Sequence, residues 1–179
     1  MYSRILIPTD GSTEVERAVD HALDLAEAHG ATVHALYVVN TASYAGLPME
    51  TAWEGVDELL RSDAEEAVET VRKRAQERSI PIETSIVEGT PSRCIVREAE
   101  NTGCDLIVMG THGRGGIDRL LLGSVAEKVV RASSLPVLTV SVAPRKDDAV
   151  VESQSAESQS AESQPADSQP SDVEADQSS

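Results

Sequence analysis

The stretch Gly110-Thr111-His112-Gly113-Arg114-Gly115-Gly116-Ile117-Asp118-Arg119-Leu120-Leu121-Leu122-Gly123-Ser124 carries the residue types that grip an anion by main-chain atoms. It reads G-x2-G-x9-G-S. Gly110 and Gly113 lack a Cβ, so their backbone N–H groups can approach phosphate oxygens closely. Gly123-Ser124, at the head of a helical pattern, adds further N–H groups and a hydroxyl. Arg114 can supply a charge-assisted bond to a terminal phosphate, and His112 either contacts phosphate or shapes the loop. The spacing is not that of a P-loop, which needs GxxxxGK[S/T], nor of a dinucleotide fingerprint, whose glycines follow the first strand. Loop glycines alone also suit a flexible surface turn and a helix-ending glycine, so the flanking elements must decide.

A second candidate is Asp10 in Pro8-Thr9-Asp10-Gly11-Ser12. A carboxylate there can accept ribose hydroxyls, stand near a bound Mg²⁺, or simply cap the helix that follows. The other polar candidates have plainer readings. His21 and His29 fall in a helix and His34 in a strand, none in metal-ligand spacing, which suits packing or surface placement. Cys94 and Cys104 lack CxxC spacing and read as small core residues of a chain kept in a reducing interior.

The elements that must position these residues follow from apolar periodicity. Arg4 to Pro8 is a continuously apolar run, hence a strand buried on both faces. From Thr13 the spacing turns helical, with Val15, Ala18, Val19, Ala22, Leu23 and Ala26 on one side. Thr13 and Glu16 fit a capping box, and Gly30 ends the helix. Thr32–Val39 predicts the second strand. Trp53 to Ser79 predicts a helix with Val56, Leu59, Leu60, Ala64, Ala67, Val68, Val71 and Ala75 inward. Ile82–Glu88 predicts a strand, Pro91 to Asn101 a helix, Asp105–Met109 a strand, Ser124 to Ala132 a helix with Val125, Val129 and Val130 inward, and Pro136–Val142 a closing strand. Strict alternation of strand and helix predicts an α/β fold: an open five-stranded parallel sheet with helices on both faces, Rossmann-like. Ligands of such sheets sit at the carboxyl ends of the strands, where strand order reverses.

Charge divides the chain. Net charge is −16; residues 144–179 hold nine acids and two bases, leaving 22 and 13 in residues 1–143, a net −9. Residues 144–179 repeat Ser, Gln, Ala and acid every five residues and hold too little apolar surface to offset ordering, which predicts a disordered, solvating tail behind a domain of residues 1–143. So acidic a surface, without a basic stripe, excludes nucleic acid as a partner. No run of apolar residues reaches membrane-helix length and no export signal opens the sequence, which together predict a cytoplasmic protein without a membrane partner. With three lysines and no phenylalanine, the composition fits either a high-salt cytoplasm or an ordinary acidic protein with an acidic tail.

In its strand–loop–helix setting the glycine motif makes the chain resemble the universal stress protein family, in its ATP-binding branch. The resemblance covers residues 1 to about 143 and rests on Pro8-Thr9-Asp10-Gly11-Ser12, Val38, the whole glycine motif and the closing Leu135-Pro136-Val137-Leu138-Thr139-Val140. It implies an adenine nucleotide alpha hydrolase-like fold with strand order 3-2-1-4-5. It also implies that Pro8, Thr9 and Asp10 line the adenosine and that Val38 gives backbone hydrogen bonds to adenine. Met109, Gly110, Thr111, His112, Gly113, Arg114, Gly115, Gly116, Gly123, Ser124, Val125 and Ala126 would hold ribose and phosphates. Gly115-Gly116 departs from the family pattern toward a more flexible loop. ATP, or ADP or AMP, with Mg²⁺ would be the ligand, and a homodimer through the edge strand Pro136 to Val142 the assembly. The implied role is a nucleotide-dependent switch or sensor in stress response with slow hydrolysis at most, since His112 is the only general-base candidate near the phosphates. Two alternatives stay open: a protein-interaction or scaffold module with structural or no nucleotide, and, on the same fold, a slow ATP hydrolase.

Overall fold

The run Arg4–Thr9 forms strand β1, whose residues from Ile5 onward are all buried. Around it the computed structural model, in which residues 1–40, 53–112 and 122–141 are described (side chains of the second helix from Leu59 on), alternates strand and helix throughout. Helix α1 spans Thr13–His29, β2 Thr32–Val39, α2 Trp53–Glu77, β3 Ile82–Glu88, α3 Pro91–Asn101, β4 Leu106–Gly110, α4 Ser124–Ala132 and β5 Val137–Val140. The strands form one sheet in the order β3-β2-β1-β4-β5, every pair parallel. This is the fold class and strand order expected. Residues Met1–Ala143 form one compact unit; the repeat-rich tail expected to be disordered lies outside the described residues.

Alternation along the strands divides the core by sheet face. Ile5, Ile7, Val33, Ala35 and Val108 pack with α1 and with Val71 and Ala75 of α2. Leu6, Leu36, Ile107 and Met109 point the other way, onto Ile95 and Ala99 of α3 and Ala126 and Val129 of α4. A third cluster joins Tyr37 to Ala64, Ala67 and Val68 of α2. Gly30 stops α1 in the left-handed conformation (φ 66°), a geometry glycine adopts without strain.

Four local expectations are corrected. Thr13 and Glu16 do not form a capping box: Ser12 is the N-cap, without a side-chain cap bond, and Thr13 is already helical. The turn is instead organised by Asp10, whose Oδ1 accepts from Ser12 N–H at 3.0 Å and Ser12 O–H at 2.6 Å. Leu59 and Val130, expected inward, are 64% and 45% exposed. They lie on the flanks of their helices' apolar stripes, where nothing in the described residues covers them. Of the closing strand expected from Pro136 to Val142, Val137–Val140 is strand, Pro136 and Ser141 are not, and Val142 lies outside the described residues.

Candidate functional site

Strands β1 and β4 pair only at Ile5↔Leu106 and Leu6↔Ile107, although β4 runs on to Gly110. Beyond Leu6 they part, and Pro8, with no N–H to give a ladder, stands just past the last paired residue. Strand order reverses between these two strands. A cleft of about 590 Å³ opens there, at the carboxyl ends.

Twelve of the candidate residues line that cleft: Pro8, Thr9 and Asp10 from β1 and its turn, Val38 from β2, Met109, Gly110, Thr111 and His112 from β4 and its end, and Gly123, Ser124, Val125 and Ala126 from the start of α4. Gly113, Arg114, Gly115 and Gly116 lie outside the described residues. The ends of their loop are drawn together by main-chain bonds. Thr111 N–H donates to Val140 O at 2.9 Å, and Gly123 N–H donates to Thr111 O at 2.8 Å. A Cβ on Gly123 would stand 2.8 Å from that same carbonyl oxygen, so only glycine fits this closure. His112 Nδ1 lies 3.1 Å from Thr111 Oγ1, which holds the imidazole against the loop's own end.

Gly123 is the N-cap of α4 and offers no side chain to the helix's first N–H groups. Ser124, Val125 and Ala126, whose N–H groups have no acceptor within the helix, are the residues that face the cleft. The same cleft also has an apolar wall: Leu36 and Val38 from β2, Ile95 from α3, Met109 from β4. The cleft thus offers an apolar wall that suits a flat apolar group and helix N–H groups that suit an anion. Asp10 also lines the cleft, its Oδ1 bonded to Ser12.

Sequence reasoning did not assign to the site Val15, Leu36, Tyr37, Val39, Asn40, Leu60, Pro91 and Ile95, which also line the cleft. Pro91 and Ile95 carried a signal, since the helix after a parallel strand starts at the carboxyl edge of the sheet, where the cleft must be. Leu36 and Tyr37 carried none beyond strand periodicity. No group of three or more His, Cys, Asp or Glu able to hold a metal occurs among the described residues. No helix among the described residues is long and apolar enough to cross a membrane.

Comparison with known proteins gives a consistent result. Residues 1–141 match the universal stress protein family. The chain is 45% identical over 147 residues to a universal stress protein of Methanocaldococcus jannaschii, MJ0531, covering 82% of this chain and 86% of that one. The solved structure of MJ0577, from the same organism, superposes with a TM-score of 0.70 at 33% identity, covering 78% of this chain and 96% of that one. A universal stress protein solved in complex with cAMP superposes at 0.56 with 29% identity, over 79% of this chain and 98% of that one.

Proposed function

The chain belongs to the universal stress protein family, and from that premise we propose that it binds an adenine nucleotide, ATP with Mg²⁺, in the cleft between β1 and β4 and acts as a nucleotide-dependent switch. The observation that carries this is the pairing, in one cleft, of an apolar wall with an uncapped helix N-terminus reached through a glycine closure. Adenine takes the wall from Leu36 to Met109 and bonds the backbone at Val38. Ribose lies by Thr9 and Asp10, and the phosphates lie over the start of α4 and the Gly113–Gly116 loop. The cAMP complex of a 29% identical relative supports an adenine ligand. With Mg²⁺ bound, the metal would neutralise phosphate charge beside Asp10 and permit a triphosphate in so acidic a protein. His112, whose Nδ1 is held by Thr111, remains the single general-base candidate by the phosphates, and the reading adopted is a binding protein with slow hydrolysis at most.

The same proposal includes the domain boundary near residue 143, a cytoplasmic setting and a two-fold dimer through β5, which among the described residues has only β4 beside it. Calorimetric titration of ATP and Mg²⁺ into the wild type and Gly123→Ala tests the site. The Cβ forces the Thr111–Gly123 closure apart, so affinity should fall at least about tenfold while the fold persists. Equal affinities in the two proteins would remove the glycine closure from the site.

A further inference from the structure

On the sheet face beneath α3, below the cleft, polar groups interrupt the aliphatic pattern. His34 of β2, opposite Leu6 of β1 and Glu83 of β3, is 3% exposed. Its Nε2 lies 2.8 Å from Ser85 Oγ and 3.6 Å from Glu98 Oε1 of α3. Its Nδ1 has no hydrogen-bond partner, and Glu83 Oε2 stands 3.9 Å away. Glu83 is held there by Arg4, which donates to both carboxylate oxygens at 2.9 Å. From the loop before β4, Asp105 accepts the Ser3 and Arg4 N–H groups, and Cys104, kept protonated by burial, bonds Thr102 at 3.3 Å.

A neutral imidazole in this box leaves one nitrogen unsatisfied, whereas the charged ring would present an N–H to a carboxylate on either side. Burial holds the histidine below its ordinary value, with Glu98 and Glu83 pulling the other way and Arg4 reinforcing the burial. Small movements change that balance, because Glu83 is 53% exposed and Glu98 keeps 16% of its side chain in solvent. Both elements that meet at His34 run on into the cleft. β2 continues to Leu36 and Val38, and α3 leads back from Glu98 to Ile95 and Pro91.

We propose that His34 is an acid-operated latch: taking up a proton draws Glu98 and Glu83 onto the ring, pulls α3 against β2 and narrows the cleft along the wall that Ile95 and Leu36 form, so that ligand is released. Only the last step rests on the adenine-nucleotide reading of the cleft. By linkage, a ligand that holds the cleft open lowers the proton affinity of His34 by the factor by which acid weakens the ligand.

The test is a ¹H–¹⁵N NMR titration of the full chain from about pH 8 to about pH 5, the range in which histidine titrates. The Val38 and Ile95 amide signals should move with the His34 imidazole in the wild type and stay fixed in His34→Gln. Glu98→Gln, a change on the flank of a helix, should shift the shared midpoint to lower pH. A ring that stays neutral to pH 5, amides that ignore its titration, or the same shifts in His34→Gln overturn the latch. Adenosine, which has no group titrating in that range, should bind about fivefold more weakly at the acid end in the wild type and equally at both ends in His34→Gln. Equal wild-type affinities also overturn it. Failure to bind adenosine at any pH instead counts against the nucleotide reading, and the amide titration still decides the latch.

Discussion

The turn from β3 to α3 depends on one residue, Gly89, for two separable reasons. Its φ is +141°, a region closed to residues with a Cβ, and a Cβ built there would meet Cys94 Sγ at 2.9 Å. Its N–H donates to Val39 O at 3.0 Å, tying the turn to the end of β2 at the cleft's rim. Gly89→Ala should therefore destabilise by about 2–3 kcal/mol, from backbone strain and the sulfur contact together, read as a lower urea midpoint at unchanged slope. Adding Cys94→Ala removes the contact but not the strain. The double variant should then remain less stable than Cys94→Ala alone by about 1–2 kcal/mol. If the two single effects simply add, the sulfur contact plays no part and the φ argument must carry the whole loss.

At the scale of elements, α1 and α2 share the sheet face of Ile5 and Ile7 and are joined at its margin by charge. Asp20 of α1 accepts from Arg74 of α2, with Arg78 at 3.5 Å, and Arg78 donates to Asp24 at 2.6 Å. These pairs are partly exposed, so each is worth about 0.2–1 kcal/mol and is screened by salt. Asp20→Asn should lower stability by about 1 kcal/mol in dilute buffer, with the difference shrinking in about 1 M KCl; a salt-independent loss would point to packing instead. None of this ladder was legible in the sequence, because residues 54 apart meet only once the crossovers are in place. The elements themselves were legible: the runs at Arg4–Pro8 and Thr32–Val39 are apolar apart from Arg4, Thr32 and His34, and Pro91 and Gly30 mark helix ends by their backbone geometry alone. Periodicity fixed the phase of α2 and α4 but not what covers their flanks, hence Leu59 and Val130. The site divides in the same way. Main-chain contact restricts residue type, so Gly123 stood out, whereas Leu36 and Ile95 line the cleft with side chains that any core would use.

At the scale of the whole molecule, two features of β5 bear on each other. Leu138 is 39% exposed on an edge strand, beside a helix whose Val130 is 45% exposed, and an uncovered apolar edge favours pairing with a second copy. Against this stands charge, since residues 1–143 carry a net −9 and the full chain −16, so two copies repel at low ionic strength. Apolar edge pairing is not screened and the repulsion is. The proposed β5 dimer should therefore tighten as KCl rises, the reverse of the trend for an interface held by ion pairs. Sedimentation equilibrium across about 0.05–1 M KCl should show a falling dissociation constant for the full chain, and Leu138→Glu should raise it at every salt concentration. Chain 1–143, relieved of seven net negative charges, should dimerise more tightly than the full chain in dilute salt and equally in concentrated salt. A dissociation constant that rises with salt, or is indifferent to Leu138→Glu, would move the interface away from β5.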